Sequence, residues 1–192
     1  MDRNDIEAHV RDNFPLPESE IRKAVQAVGP ASNPEEAGVW LAVILTHRDA
    51  ALPLIRHAYD SATSRRKLNY AKLLAFLGQP DVAPALAEAL DAVTQWDPRI
   101  LQGKMAEYAH LPTPIDTLIL GLGRTRNPAA LPALLRKLET LDASVTLSHH
   151  RSLAIALESL ARLNWLAALH GDQGEILGVD KEEFARRVRE EP

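Results

Sequence analysis

The sequence has no cysteine, which excludes a disulfide framework, a thiolate metal site and a cysteine nucleophile. Aromatic residues make up only 5% of its 192 positions, and nowhere do apolar and polar residues alternate over a strand's length. No stretch approaches the roughly 18 consecutive apolar residues of a membrane span. The opening Met1-Asp2-Arg3-Asn4-Asp5 has no apolar signal core. Positive charge is not in excess: 22 Lys and Arg against 26 Asp and Glu leave a net charge of -4, with no broad attraction to nucleic acid or anionic lipid. These absences point to a soluble cytoplasmic protein that binds neither nucleic acid nor membrane.

What is abundant is Leu and Ala, 29 of each, a composition that favours helices throughout. The stretch from Thr113 to Leu160 sets the pattern. Ile115, Leu118, Ile119 and Leu122 form one apolar stripe at helical spacing, and Leu131, Leu134, Leu135 and Leu138 form a second. Between them Gly123 reads as a helix stop, Asn127 as an N-cap and Pro128 as the first residue of the next helix. Gly121 reads as a close-packing position. The two helices are expected to fold back antiparallel, leaving an apolar side that neighbouring copies must cover.

Copies are present. Trp40, Val43 and Ile44 lie on a helix that turns at Thr46 to Asp49 and returns through Leu52 to Asp60. Tyr70, Leu73, Leu74 and Leu77 lie on another that turns at Gly78-Gln79-Pro80-Asp81 and returns through Leu86 to Asp91. Pro53, Pro84 and Pro132 fall at matching places and mark where each second helix begins. Before this array, Asp5 to Phe14 and Glu18 to Val28 read as two capping helices, the second stopped by Gly29-Pro30. Asn33-Pro34 starts the array, Asp97 to His110 inserts a helix, Ser148 caps a long helix, and Lys181 to Glu190 is a charged terminal helix. The expected fold is all-α, a right-handed α-solenoid of antiparallel helix pairs. It is one structural domain: caps over 1–32, the array over 33–170 and a looser segment over 171–192.

The units Leu77-Gly78-Gln79-Pro80-Asp81-Val82-Ala83-Pro84-Ala85-Leu86 and Leu122-Gly123-Arg124 through Pro128-Ala129-Ala130-Leu131-Pro132-Ala133-Leu134 resemble HEAT-like repeats of the short bacterial, PBS-lyase type, from Asn33 to Leu169. The run from Leu122 to Pro132, followed by Leu141-Asp142-Ala143 and Ser148-His149-His150-Arg151, is similar to the C-terminal HEAT region of some bacterial FAD-dependent oxidoreductases. The flavin domain of those enzymes has no counterpart here, so that resemblance implies a detached accessory domain. It implies no flavin site.

Residues that could carry chemistry are few. Gly121-Leu122-Gly123-Arg124-Thr125-Arg126 lacks the preceding strand and third glycine of a dinucleotide-binding turn. His149 and His150 are adjacent, so their rings diverge by about 100° on a helix and do not share a metal. They either bond the preceding loop or, with Arg151, meet a partner's anionic groups. Arg65-Arg66-Lys67 and Arg124 with Arg126 belong at opposite ends of the helical units and form no continuous basic stripe. No catalytic residue, cofactor site or metal site is expected.

The expected function is a non-catalytic HEAT-repeat scaffold that binds a protein. The alternatives are the detached oxidoreductase domain and a bilin-lyase-like enzyme subunit. In HEAT-like arrays the second helices usually line the concave face, which would present Arg56, Glu88, Arg136 and Lys137 as exposed positions. Their mixed signs suit a protein partner, and they equally fit ordinary solvated positions.

Overall fold

Pro17 and Gly29 bracket helix α1, Glu18–Val28, with the limits that its flanking Pro and Gly-Pro predict. The computed structural model describes residues 8, 12, 15–30, 38–97, 113–141, 145 and 147–161, and all regular structure among them is helical. The expected helices at Asp5 to Phe14, Asp97 to His110 and Lys181 to Glu190, and the start at Asn33, lie wholly or mostly outside the described residues. The chain divides into two compact units, Met1–Leu77 and Gly78–Pro192. The boundary falls inside the stretch read as a continuous array.

In the first unit α1 is followed by α2 (Val39–Thr46), α3 (Arg48–Ser61) and α4 (Ser64–Phe76). α1 packs on α2 and α3, and α3 packs on α4. Ile21, Val25 and Val28 of α1 are buried, as are Ile44, Ile55, Leu73 and Leu74. The end of α1 is seated on α4: Asn69 Nδ2 donates to the Gly29 carbonyl at 2.9 Å, and a Cβ on Gly29 would lie 2.3 Å from the Tyr70 hydroxyl. Only His47 separates α2 from α3, so α3 starts earlier than the sequence suggests. Pro53 therefore falls inside α3 rather than at its start, and its missing N–H leaves the helix one hydrogen bond short.

Pro84 and Pro132 do mark helix starts. In the second unit a 3-10 turn at Pro80–Val82 runs into α5 (Ala83–Asp91), and a second at Pro128–Ala130 runs into α7 (Leu131–Glu139); each proline sits in the first turn of its α-helix, where no N–H is needed. Asn127 joins the two turns. Its Oδ1 accepts from Ala129 N–H at 3.0 Å, the expected cap, and its Nδ2 donates to the Pro80 carbonyl at 2.8 Å.

The remaining helices of this unit are α6 (Pro114–Thr125) and α8 (Leu147–Ala161). α6 packs most extensively on α8 and then on α5, while α7 packs on α5 and α8. Leu118, Leu122, Leu134 and Leu135 are buried, and Leu131 is half-buried. Gly123 is not the end of α6. The helix continues to Thr125, and Arg126 ends it in the left-handed region with φ 50°. Gly123 is instead where α6 meets α8, because a Cβ there would lie 2.5 Å from Ala156 Cα and 2.9 Å from its Cβ. Close approach of two helix backbones is why glycine occupies this helical position.

Candidate functional site

The polar centre of the second unit is built on the start of α6. Thr113 caps this helix, with its side chain accepting from Asp116 N–H at 3.2 Å while Asp116 Oδ2 accepts from Thr113 N–H at 3.2 Å. This reciprocal pair is a capping box, and it fixes the Asp116 carboxylate at the helix N-terminus. Asp116 is fully buried. α8 supplies the partners that make such burial tolerable: Ser148 Oγ donates to Asp116 Oδ2, and His149 Nδ1 lies 2.9 Å from Oδ1. Ser152, one turn further along α8, adds a hydrogen bond. Burial alone would push the Asp116 carboxyl up, but the hydrogen bonds from His149, Ser148 and Ser152 outweigh it and hold the carboxyl below its ordinary value. Ser148 was expected to cap α8. It lies within the first turn, which begins at Leu147, and its hydroxyl serves Asp116.

The other edge of the His149 ring faces the chain that leaves α5. His149 Nε2 is 3.7 Å from Asp97 Oδ2, and the Trp96 ring lies against the imidazole with centroids 4.9 Å apart, tilted by 33°. Trp96 Nε1 donates to the Thr140 carbonyl at 3.3 Å. On the Trp96 ring sits Lys137 Nζ, 4.9 Å from its centroid, which also donates to the Val93 carbonyl. Burial pushes the Lys137 amine down, with the Asp91 charge opposing it. A carboxylate, an imidazole and a second carboxylate thus form a row, flanked by an indole and an ammonium.

A carboxylate on Nδ1 orients the opposite ring nitrogen, as a general base or a metal-ligating histidine requires. Here Nε2 is enclosed and makes no hydrogen bond, so no nucleophile is engaged by it. Among the described residues no group of three His, Cys, Asp or Glu side chains is placed to hold a metal ion. What the row does is join α6, α8 and the segment following α5.

The residues singled out from the sequence are dispersed. Arg56 is half-buried on α3 of the first unit, and Glu88 is exposed on α5. Arg136 is exposed and grips Asp91 with two hydrogen bonds, at 3.0 and 2.6 Å. Lys137 is buried rather than exposed, because its amine is turned inward to Val93 and Trp96. His149 and His150 are buried as well, while Arg151 is exposed. Trp96 brings two of these residues, Lys137 and His149, into one assembly. His149 bonds Asp116 of another helix rather than the loop before its own.

The row itself was not anticipated. Its one sequence signal is Thr113-x-x-Asp116 ahead of an apolar run, a capping-box spacing that places Asp116 but does not name His149 as its partner. No family model, curated protein or solved structure matches this chain.

Proposed function

We propose that this chain is a non-catalytic helical-repeat module that binds a protein partner in the cytoplasm through an apolar face. The observation that carries the reading is α2, Val-Trp-Leu-Ala-Val-Ile-Leu-Thr, in which only Ile44 is buried. Val39 is 76% exposed and Trp40 40% exposed. A helix that is apolar on every side belongs in a core or against another molecule, and covering side chains of this kind is worth about 1.5–3 kcal/mol each. An indole with one apolar body and one polar edge suits such a contact.

The HEAT-like character of the module is supported by the two matching turns and helices, Pro80–Val82 with α5 and Pro128–Ala130 with α7. No described helix is long and apolar enough to cross a membrane.

The test is a paired substitution, Val39→Glu with Trp40→Glu, which should leave the helical circular dichroism unchanged and abolish the specific proteins that the parent chain captures from native lysate. Capture of the same proteins at the same yield would overturn the assignment to α2. Loss of capture with Arg151→Glu alone would move the binding surface to α8.

A further inference from the structure

Two buried polar atoms in the Asp116, His149 and Asp97 row face each other with nothing else to bond. His149 Nε2 and Asp97 Oδ2 are 3.7 Å apart, and neither makes a hydrogen bond. Buried polar atoms are rarely left in this way. On the opposite edge of the ring, Asp116 accepts from Thr113 N–H and Ser148 O–H, and its remaining oxygen faces Nδ1. A carboxylate so surrounded by donors is ionised, so Nδ1 carries a hydrogen. With that tautomer, an uncharged imidazole would point its Nε2 lone pair at a carboxylate oxygen, acceptor against acceptor. One proton between Nε2 and Oδ2, on either atom, replaces that repulsion with attraction and draws the two atoms from 3.7 Å toward hydrogen-bond distance.

We propose that Asp116, His149 and Asp97 form a proton-operated latch that closes the Val93 to Asp97 segment onto α8. Asp116 from α6 is the fixed end, His149 of α8 is the moving part in charge only, and Asp97 is the catch. Around the ring, α7 contributes Lys137, whose amine holds the same segment at the Val93 carbonyl whatever the state of the proton and lies over the Trp96 ring in the closed arrangement. His150 and Arg151 flank His149 on its own helix. The catch is accessible to solvent protons, since the Asp97 side chain is 33% exposed whereas His149 is sealed.

Closing the latch takes up one proton. The ratio of closed to open therefore falls as pH rises, by at most tenfold per pH unit. Lys137 keeps the open segment nearby, so the change is a local release of Asp97 and Trp96 and leaves the helices folded.

The readout is the Trp96 indole N–H, bonded to the Thr140 carbonyl at 3.3 Å. Its exchange with deuterated water is followed by NMR, with the signal assigned by its loss in Trp96→Phe and the rate corrected for that of free indole. Protection in the unaltered chain, followed from pH 5 to 8, should fall as pH rises, by no more than tenfold per unit. Asp97→Asn places an amide N–H opposite Nε2, supplying the missing donor without a proton, and should hold protection constant over the same range. Protection that does not vary with pH in the unaltered chain would overturn the proposal, and so would an Asp97→Asn profile with the same slope. Loss of protection on adding EDTA at constant pH would also overturn it, by showing that a cation and not a proton joins the two residues.

Discussion

Gly123→Ala tests the packing of the second unit at its tightest point. The new Cβ would lie 2.5 Å from Ala156 Cα, 2.9 Å from its Cβ and 3.1 Å from its carbonyl oxygen. Carbon atoms that touch normally sit about 3.5–4.0 Å apart, so the two helices must separate by roughly 1 Å. No side-chain rotation relieves the strain, because the nearest obstacle is backbone. Separation loosens the α6 and α8 pairing, and with it the burial of Leu122, Leu153 and Leu157. Overpacking of this kind costs about 1–3 kcal/mol, and a clash with backbone places it toward the upper end. Replacing glycine by alanine inside a helix returns at most about 1 kcal/mol. The net expectation is a loss of about 2 kcal/mol, or a fall in Tm of roughly 4–8 °C for a chain of this size. Thermal unfolding followed by circular dichroism measures it. Adding Ala156→Gly removes the methyl group across the joint and leaves the backbone behind it, so the double variant should recover only part of the loss. A rise in Tm for Gly123→Ala, the result that helix propensity alone requires, would refute the reasoning.

Asp116→Asn should cost about 2–4 kcal/mol in urea unfolding, because the amide presents a donor to neighbours that already donate. The same variant has a pH signature: since the folded Asp116 carboxyl lies below its unfolded value of about 3.9, its stabilisation is present above that value and is lost as pH falls through the folded one. The variant should lose that part of the acid-side decline in the urea midpoint, and an unchanged decline would contradict the cause assigned to it. Leu134→Asp buries an unpaired carboxylate at a fully enclosed position and should cost roughly 4 kcal/mol or more. An unaltered urea midpoint would remove Leu134 from the core.

Local signals in the sequence suffice where one short stretch decides the outcome. Glu18–Val28 is bounded by residues that cannot continue a helix, and Asn127 caps the following turn through its own side chain. The leucine stripes of α6 and α7 mark buried residues, apart from the half-buried Leu131. The failures share a different origin. A glycine near the end of a helical pattern is a cap or a close approach depending on what lies across from it, and Ala156 is remote in sequence. Spacing aligns Pro53 with Pro84 and Pro132, but the single-residue joint at His47 lets α3 start before it. The Asp116, His149 and Asp97 row was hidden because a buried carboxylate and its histidine are matched by packing, and neither has a spacing rule that points to the other. Lys137 looked like a surface residue for the same reason, since only the position of Trp96 turns its amine inward.

The two ends of the Asn127 amide belong to different scales of the molecule. Its oxygen bonds a neighbour two residues away, and its nitrogen bonds a carbonyl 47 residues back. The first bond needs only a local turn to form, whereas the second requires the intervening chain to have closed a long loop, with the entropy loss that entails. The oxygen is thus satisfied by the local turn alone, whereas the nitrogen is satisfied only when the two turns are brought together. A single side chain thereby ties the start of one helix to the presence of its neighbour, one atom serving each.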